Sequence, residues 1–241
     1  MALASNDKRV THTSPQISGF TGQKKTQIED AFSDAIEMAK NVLTAPTIAF
    51  ESIFDKYFPP DDKATVLSVF ETITGGSATG YAGNSRLSDM TIIQDYRHAD
   101  GYTSCTGDQV FAELLDNESS SPKLVLCNPA FLFGGIEKGY TGVDAVTCNN
   151  VGRKVSEYMD TLGSTLLHEY THFAKLVVPP LFFPTVDLPN GYGAWNAQNS
   201  ISNSDAISNA DNYNWFATEL FWTVHCTRWF EAPDEPTECL W

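Results

Sequence analysis

The chain has 241 residues, a length that suits one large domain with a sizeable hydrophobic core. Its 30 acidic and 15 basic residues give a formal net charge of −15, which argues against a nucleic-acid partner because no basic surplus can replace counterions. Hydrophobic residues make up 42% of the chain, which excludes disorder throughout. No apolar run approaches the roughly 18–20 residues of a membrane span, so we expect no membrane partner.

The first residues are predicted to lie outside the fold. Residues 1–20 are polar and lack periodicity, which is typical of a flexible N-terminal arm. Residues 21–241 contain no internal repeat and no linker long enough to separate two domains. We therefore predict a single domain over this range.

The N-terminal third of the domain is predicted to be helical. Apolar residues at three- and four-residue spacing predict one helix over residues 28–43 and a second, shorter one over residues 48–58. A third helix is predicted to begin with Asp61 or Asp62 as its cap and to end at Gly75.

The remainder of the domain mixes strands and helices. Residues 90–96 and 123–127 are predicted strands, and residues 107–115 fit a helix or a strand equally well. Helical patterns return over residues 155–176 and 210–224. The whole pattern predicts an α+β fold with more helix than strand and a small sheet.

The cysteines and one glycosylation acceptor bear on the compartment. Five cysteines permit two disulfides and one free thiol, with the pairing left open by the sequence. Asn117-Glu118-Ser119 is an N-glycosylation acceptor, which is consistent with secretion. These two features favour a secreted protein. Since no stretch near Met1 resembles a signal peptide, we expect that its leader has been removed. The alternative is a cytosolic protein with free thiols.

The most informative motif is His168-Glu169-Tyr170-Thr171-His172. On an α-helix, His168 and His172 share one face and can ligate one zinc ion, while Glu169 is placed to act as a general base. Apolar residues flank the motif and predict a largely buried helix. Three ionisable side chains there are costly unless they share an ion or hydrogen bonds, so we prefer a metal site to an exposed His-Glu pair.

A catalytic zinc site needs a third protein ligand. No third histidine follows at the metzincin spacing, because residues 175 and 178 are Lys and Val. The spacing alone leaves several downstream candidates open: Asp187, Asp205, Asp211, Glu219 and His225.

Two further segments resemble the deuterolysin-type aspzincins, a family of fungal metalloendopeptidases. Residues 184–193 (PTVDLPNGYG) are similar to the GTxDxxYG signature of that family, and residues 208–217 (SNADNYNWFA) are similar to the helix that follows it. Weaker similarity extends upstream to Phe54-Asp55-Lys56-Tyr57-Phe58. The resemblance implies a single-domain zincin fold that carries the HExxH motif on its active-site helix.

The resemblance also implies roles for individual residues. Asp187 would be the third zinc ligand, and Tyr192 would polarise the substrate carbonyl. This chain has Pro184 in place of the family glycine and four residues, rather than two, between Asp187 and Tyr192. Glu219, 47 residues after His172, is the alternative third ligand.

Asp211 matches an acid that lines a substrate pocket in the lysine-cleaving branch of the family, which implies a substrate-binding role. A glutamate of that branch is replaced here by Asn214, so selectivity for basic residues should be relaxed. The other interpretation of Asp211 is a helix cap. The resemblance further implies a disulfide between Cys105 and Cys127.

Together these features predict a secreted, zinc-dependent endopeptidase with one catalytic Zn²⁺ ion. We expect it to act as a monomer on protein or peptide substrates and to favour basic residues near the scissile bond. The alternative is a secreted zinc-binding or interaction protein that keeps the fold but turns over weakly or not at all. The altered spacing before Tyr192 and the presence of Asn214 motivate that alternative.

Overall fold

A computed structural model describes residues 13–94, 105 and 110–236. Within these residues a small sheet packs on one face against a larger group of helices, in agreement with the predicted α+β class. The helices supply most of the secondary structure, and the main hydrophobic core lies between them and the sheet.

The sheet has the strand order β1-β2-β4-β3. Its strands are β1 (Gln16–Ser18), β2 (Thr91–Gln94), β3 (Ala112–Leu115) and β4 (Lys123–Leu126). β2 runs parallel to both β1 and β4, and β3 runs antiparallel to β4 at the edge. In the undecided segment, residues 112–115 form a strand, and residues 107–109 lie outside the described residues. The two predicted strands are confirmed over 91–94 and 123–126, and residues 95–96 also lie outside the described residues.

The prediction of a flexible arm over residues 1–20 is wrong for residues 16–18, which form β1. Residues 16–18 pair with β2, and the next large apolar residue, Phe20, is buried in the main core. Three-residue strands are too short to show a periodic pattern, so this one could not be predicted from periodicity. Residues 1–12 lie outside the described residues.

Three helices follow β1, as predicted: α1 (Gly22–Thr44), α2 (Thr47–Tyr57) and α3 (Lys63–Thr74). α1 begins six residues earlier than its apolar pattern because its first turns are polar. Gly75 ends α3 in the left-handed conformation, φ 74°, that favours glycine. None of the helices of the described chain is both long and apolar enough to cross a bilayer.

The second half contains α4 (Leu162–His172), α5 (Ala174–Val177), α6 (Ala194–Asn199) and α7 (Ala210–His225). The single helix predicted over residues 155–176 is wrong at both ends. Thr161 and Ser164 form a capping box that starts α4, and Phe173 leaves the helical conformation at its end. α6 was not predicted.

The close contact between α1 and α4 positions the motif helix. A Cβ atom added to Gly163 would lie 2.6 Å from the Cβ of Asp34 on α1. Only glycine permits this approach, so the first turn of α4 lies directly against α1.

α7 is buried on nearly all sides, not only along its predicted apolar stripe. Its Phe216 ring is fully buried and contacts the rings of four phenylalanines from α2, its C-cap and α3, which are Phe50, Phe54, Phe58 and Phe70. These contacts fix the position of α7 in the helical layer.

Two disulfides are present among the described cysteines. The bond between Cys105 and Cys127 confirms the pairing that the family resemblance implied. A second bond joins Cys148 to Cys226 at the end of α7, a pairing that the sequence left open. Cys239 lies outside the described residues. These bonds argue against the cytosolic alternative with free thiols.

Replacing Phe216 with alanine should lower the free energy of unfolding by about 3–5 kcal/mol, because the truncation leaves a cavity among packed rings. Chemical denaturation followed by circular dichroism measures this change. Phe182→Ala is the matched control, since this side chain is 93% exposed and its removal should change stability by less than about 0.5 kcal/mol. Equal losses in the two variants would contradict the proposed core.

Candidate metal centre

α4 brings the two histidines of the motif together. His168 and His172 lie one helical turn apart, and their Nε2 atoms are 3.2 Å from each other. Both rings are largely buried, with side chains 11% and 12% exposed. This is the arrangement that the HExxH spacing predicts.

Asp187 joins the two imidazoles from a separate segment. Its Oδ1 atom is 3.0 Å from the His168 Nε2 and 3.4 Å from the His172 Nε2. The segment is fixed to the start of α7, because the N–H of Val186 donates to the Ser208 carbonyl at 2.8 Å. Of the side chains that the structure describes, these three form a group that could hold a metal ion.

The size of the group fits a tetrahedral zinc site. Ligand atoms that bind one zinc ion at about 2.0–2.2 Å lie about 3.3–3.6 Å from one another. The separations of 3.0, 3.2 and 3.4 Å are close to these values. Two imidazole nitrogens and one carboxylate oxygen are also the ligand types that zinc prefers.

Hydrogen bonds behind the rings leave the two Nε2 atoms available to a metal. The Nδ1 of His172 is 2.8 Å from the carbonyl oxygen of Thr185, which can only accept, so this nitrogen carries the proton. The Nδ1 of His168 is 2.7 Å from Oδ1 of Asp211, a partner that favours the same tautomer.

Asp211 therefore lies behind His168 instead of in a substrate pocket. Its Oδ1 contacts His168, and its Oδ2 accepts the N–H of Gly193 at 2.6 Å. The carboxylate is buried, and both oxygens have protein partners. The sequence-based substrate-binding role is not supported by this placement. The helix-cap interpretation is wrong, because Asn209 occupies the N-cap position of α7.

Hydrogen bonds within the group and to Asp211 shift the pKa values of its members. Burial alone would lower the pKa of His168, but its hydrogen bonds to Asp187 and Asp211 outweigh that effect and raise the pKa well above its usual value. Burial would raise the pKa of Asp187, yet its hydrogen bonds to His168 and His172 hold it well below the usual range. Since zinc binds the deprotonated form of imidazole, its affinity should fall as the pH is lowered.

Glu169 is buried beside the group. Its side chain is 5% exposed, and its Oε2 atom has no hydrogen-bond partner among the residues that the structure describes. Burial raises the pKa of Glu169, although His172 and His168 act to lower it. An unsatisfied carboxylate oxygen at this depth is costly, which is consistent with a position that serves a bound ligand or water.

Tyr192 lies over the group from the loop that follows Asp187. Its ring is parallel to that of His168 within 13°, with centroids 6.3 Å apart. Burial, together with the charge of Asp187 and a hydrogen bond to it, raises the pKa of Tyr192. The phenol therefore keeps its proton at neutral pH and can donate a hydrogen bond.

The alternative ligands lie elsewhere. Glu219 is only 1% exposed, and its carboxylate pairs with Lys56 and accepts from the Tyr57 hydroxyl at 2.9 Å. Asp205 accepts a hydrogen bond from Ser202, and His225 contacts Glu137. None of these three residues belongs to the group around His168.

Thr185 was missed by the sequence analysis. Its carbonyl binds His172, and its hydroxyl is 2.7 Å from that of Thr171, so it joins the Asp187 segment to α4. The only available indication was its position two residues before Asp187. A backbone carbonyl gives no sequence pattern of its own.

The chain is similar in sequence to known proteases. No protein-family model matches the chain. Two neutral protease 2 homologues of Aspergillus fumigatus are each 24% identical, over 224 and 220 residues. These matches cover 92% and 90% of the chain but only 42% and 52% of the relatives, so the chain spans about half the length of the curated relatives it matches.

A solved zinc peptidase from Grifola frondosa has a similar fold. The structures superpose with a TM-score of 0.53, covering 83% of this chain and 97% of that one. Because the sequences are 16% identical, this similarity supports the fold alone.

Replacing Asp211 with asparagine should weaken zinc binding by about 10–100-fold, because the amide holds His168 less firmly and no longer supports its tautomer. Competition with a fluorescent chelator measures the affinity. Asp205→Asn is the matched control, since Asp205 is an exposed acid of the preceding loop. Unchanged affinity in the folded Asp211→Asn protein would contradict the orienting role.

Proposed function

We propose that the chain, a relative of the deuterolysin-type neutral proteases, is a zinc-dependent endopeptidase of the aspzincin kind. The observation that carries the proposal is the convergence of His168, His172 and Asp187 beside a buried carboxylate, Glu169, that has an unpaired oxygen. A purely structural metal site does not need an additional buried carboxylate that is not a ligand. A hydrolytic site does need a base at this position.

His168, His172 and Asp187 would hold a single Zn²⁺ ion. When bound, zinc supplies a Lewis acid that polarises a carbonyl and lowers the pKa of water towards about 7. Asp211 and the Thr185 carbonyl would keep the rings turned towards the ion. His168 and His172 lie on α4, and Asp187 directly follows Val186, which pairs with Asn209 at the start of α7. These restraints limit the freedom of the ligands to reorganise.

Glu169 would act as the general base. Its free oxygen accepts a proton from the water that attacks the peptide carbonyl and later returns that proton to the leaving amine. The raised pKa that burial gives Glu169 makes it a stronger base than an exposed carboxylate.

Tyr192 would stabilise the oxyanion that forms on the substrate carbonyl. Its phenol already donates towards Asp187 and remains protonated at neutral pH. The 37% exposure of the side chain leaves it accessible to a substrate. The stacking of its ring on His168 supports this role even though four residues separate it from Asp187.

The substrates would be proteins or peptides, with a modest preference for basic residues near the scissile bond. Since both oxygens of Asp211 are engaged, the preference would come from the field of a chain with a net charge of −15. We further propose secretion, which the two disulfides support, and action as a monomer.

The second candidate is a secreted zinc-binding protein without turnover. The observation that favours it is the hydrogen bond between Tyr192 and Asp187, which a catalytic role would require to break. Stoichiometric zinc binding with no cleavage of casein or histone at any pH would support this candidate over the endopeptidase.

Glu169→Gln should retain zinc and lower kcat by about 10²–10⁴-fold, because it removes the base and leaves the ligands in place. His168→Ala should lose both zinc and activity. Elemental analysis and the cleavage of a fluorogenic peptide measure the two properties. Glu118→Gln, on an exposed turn, is the matched control. Near-normal activity in zinc-loaded Glu169→Gln protein would remove Glu169 as the base.

Cleavage of a peptide with lysine beside the scissile bond should slow at least about threefold in kcat/KM when salt rises from about 20 mM to about 500 mM, because ions screen the acidic field. The same peptide with glutamate in place of lysine should be cleaved faster as salt rises. If the two peptides respond alike, the proposed origin of the preference is wrong.

A further inference from the structure

Exposed apolar side chains are concentrated around Asp187. Half of the ten large apolar side chains that are exposed on the described chain lie in residues 178–192. These five are Val178, Phe182, Phe183, Val186 and Tyr192. Scattered exposed apolar residues are normal, whereas a concentration of them marks an interaction site.

The two phenylalanines at the centre of this segment are almost fully exposed, at 93% and 81%. Their neighbours on both sides are anchored. Leu181 is buried and donates its N–H to the Val177 carbonyl at 2.9 Å, and Thr185 is buried and donates its N–H to the Thr171 carbonyl at 3.2 Å. The backbone between these anchors therefore presents Phe182 and Phe183 to solvent from a fixed position.

The segment is continuous with the candidate metal centre. Thr185, two residues after Phe183, holds His172 through its carbonyl, and Asp187 follows two residues later. Four residues span at most about 14 Å, so Phe183 lies within reach of a short extended peptide whose scissile bond is at Asp187. Val186, between them, is also half exposed.

We propose that Phe182 and Phe183 form a subsite for apolar side chains of an extended polypeptide substrate, so that the enzyme selects substrates with large apolar residues a few positions from the scissile bond. This inference rests on the proposed endopeptidase function. Residues 176–186 contain no charged side chain, in a chain whose net charge is −15. The subsite is thus apolar in character, unlike the acidic remainder of the chain.

The charge also favours a peptide over other occupants. Two copies of this chain each carry a net charge of −15, and their mutual repulsion opposes association through this surface. An anionic lipid surface would be repelled in the same way. A substrate peptide has to reach the metal centre in any case, and the two phenylalanines lie only four and five residues before Asp187.

The test compares the zinc-loaded parent with the double variant F182S/F183S on two peptides that differ only in carrying leucines or serines beside the scissile bond. In the parent, kcat/KM should be higher for the leucine peptide by about 10-fold or more. The double variant should lose most of that ratio while its kcat/KM for the serine peptide stays within about twofold.

W229S is the matched control. Trp229 is an exposed aromatic residue beyond the C-terminal end of α7. The metal centre is at the opposite end of that helix, where Asp211 contacts His168. The 15 residues from Asp211 to His225 rise about 21 Å along the helix. The N–H of Arg228 donates to the Thr223 carbonyl at 3.2 Å, so Trp229 stays near the far end of α7, remote from the centre. W229S should keep the parent ratio, and the melting temperatures of all three proteins should agree within about 2 °C.

Binding without turnover separates this inference from the proposed function. Fluorescence anisotropy of a labelled leucine peptide is measured with zinc-loaded Glu169→Gln protein, with and without F182S/F183S, and the double substitution should weaken binding about 10-fold. If the parent cleaves peptides but F182S/F183S leaves both the ratio and the binding unchanged, the subsite is wrong and the endopeptidase stands. If the parent cleaves nothing, the endopeptidase fails, and anisotropy alone still decides the subsite.

Two further results would overturn the assignment to a peptide. Light scattering could show a dimer that F182S/F183S converts to a monomer, which would make this surface a contact between copies of the chain. Co-sedimentation of the parent, but not of F182S/F183S, with phosphatidylcholine vesicles would make it a lipid contact.

Discussion

The architecture depends on one requirement, that two imidazole nitrogens and one carboxylate oxygen meet at a single point. The histidines are local neighbours on α4, but Asp187 belongs to a different segment and must be held against them. Hydrogen bonds from Thr185 to α4 and from Val186 to the start of α7 provide that restraint. The close packing of α4 on α1 and the burial of α7 make both supports rigid.

The polar residues around this point form two layers, and all but the 39% exposed side chain of Asp187 are largely buried. The inner layer consists of the three candidate ligands, and the outer layer consists of partners that fix their orientation. Asp211 connects the layers. One of its oxygens orients His168, and the other accepts the backbone N–H of Gly193, the residue after Tyr192. The loop carrying Asp187 and Tyr192 is therefore tied to the same carboxylate that positions a histidine. Only Glu169 retains an unpaired buried oxygen among these side chains.

Local patterns were sufficient to predict much of this arrangement. The 3.6-residue periodicity identified the long helices, and the i,i+4 spacing placed His168 and His172 on one face. The third member, Asp187, was left open by spacing and was indicated by the family resemblance. The role of Asp211 was missed because its contact with His168 joins residues 43 positions apart, and no local pattern reports such a contact.

Failures in the fold prediction have similar physical causes. β1 is too short for periodicity to appear, and it is stabilised by pairing with β2, which lies more than 70 residues later. The helix predicted over residues 155–176 was divided by a capping box and a break at Phe173, where local hydrogen bonds outweigh the continuing apolar pattern. The sequence left Glu219 open as a third ligand. In the structure its carboxylate instead forms an ion pair with Lys56 and accepts a hydrogen bond from Tyr57, both on α2.

The most direct measurement is the anomalous X-ray scattering of zinc-loaded crystals at the zinc absorption edge. We expect one strong zinc peak, about 2.0–2.2 Å from the Nε2 atoms of His168 and His172 and from a carboxylate oxygen of Asp187. A zinc peak coordinated by other side chains, or no peak in crystals of fully folded protein, would contradict the proposed zinc site.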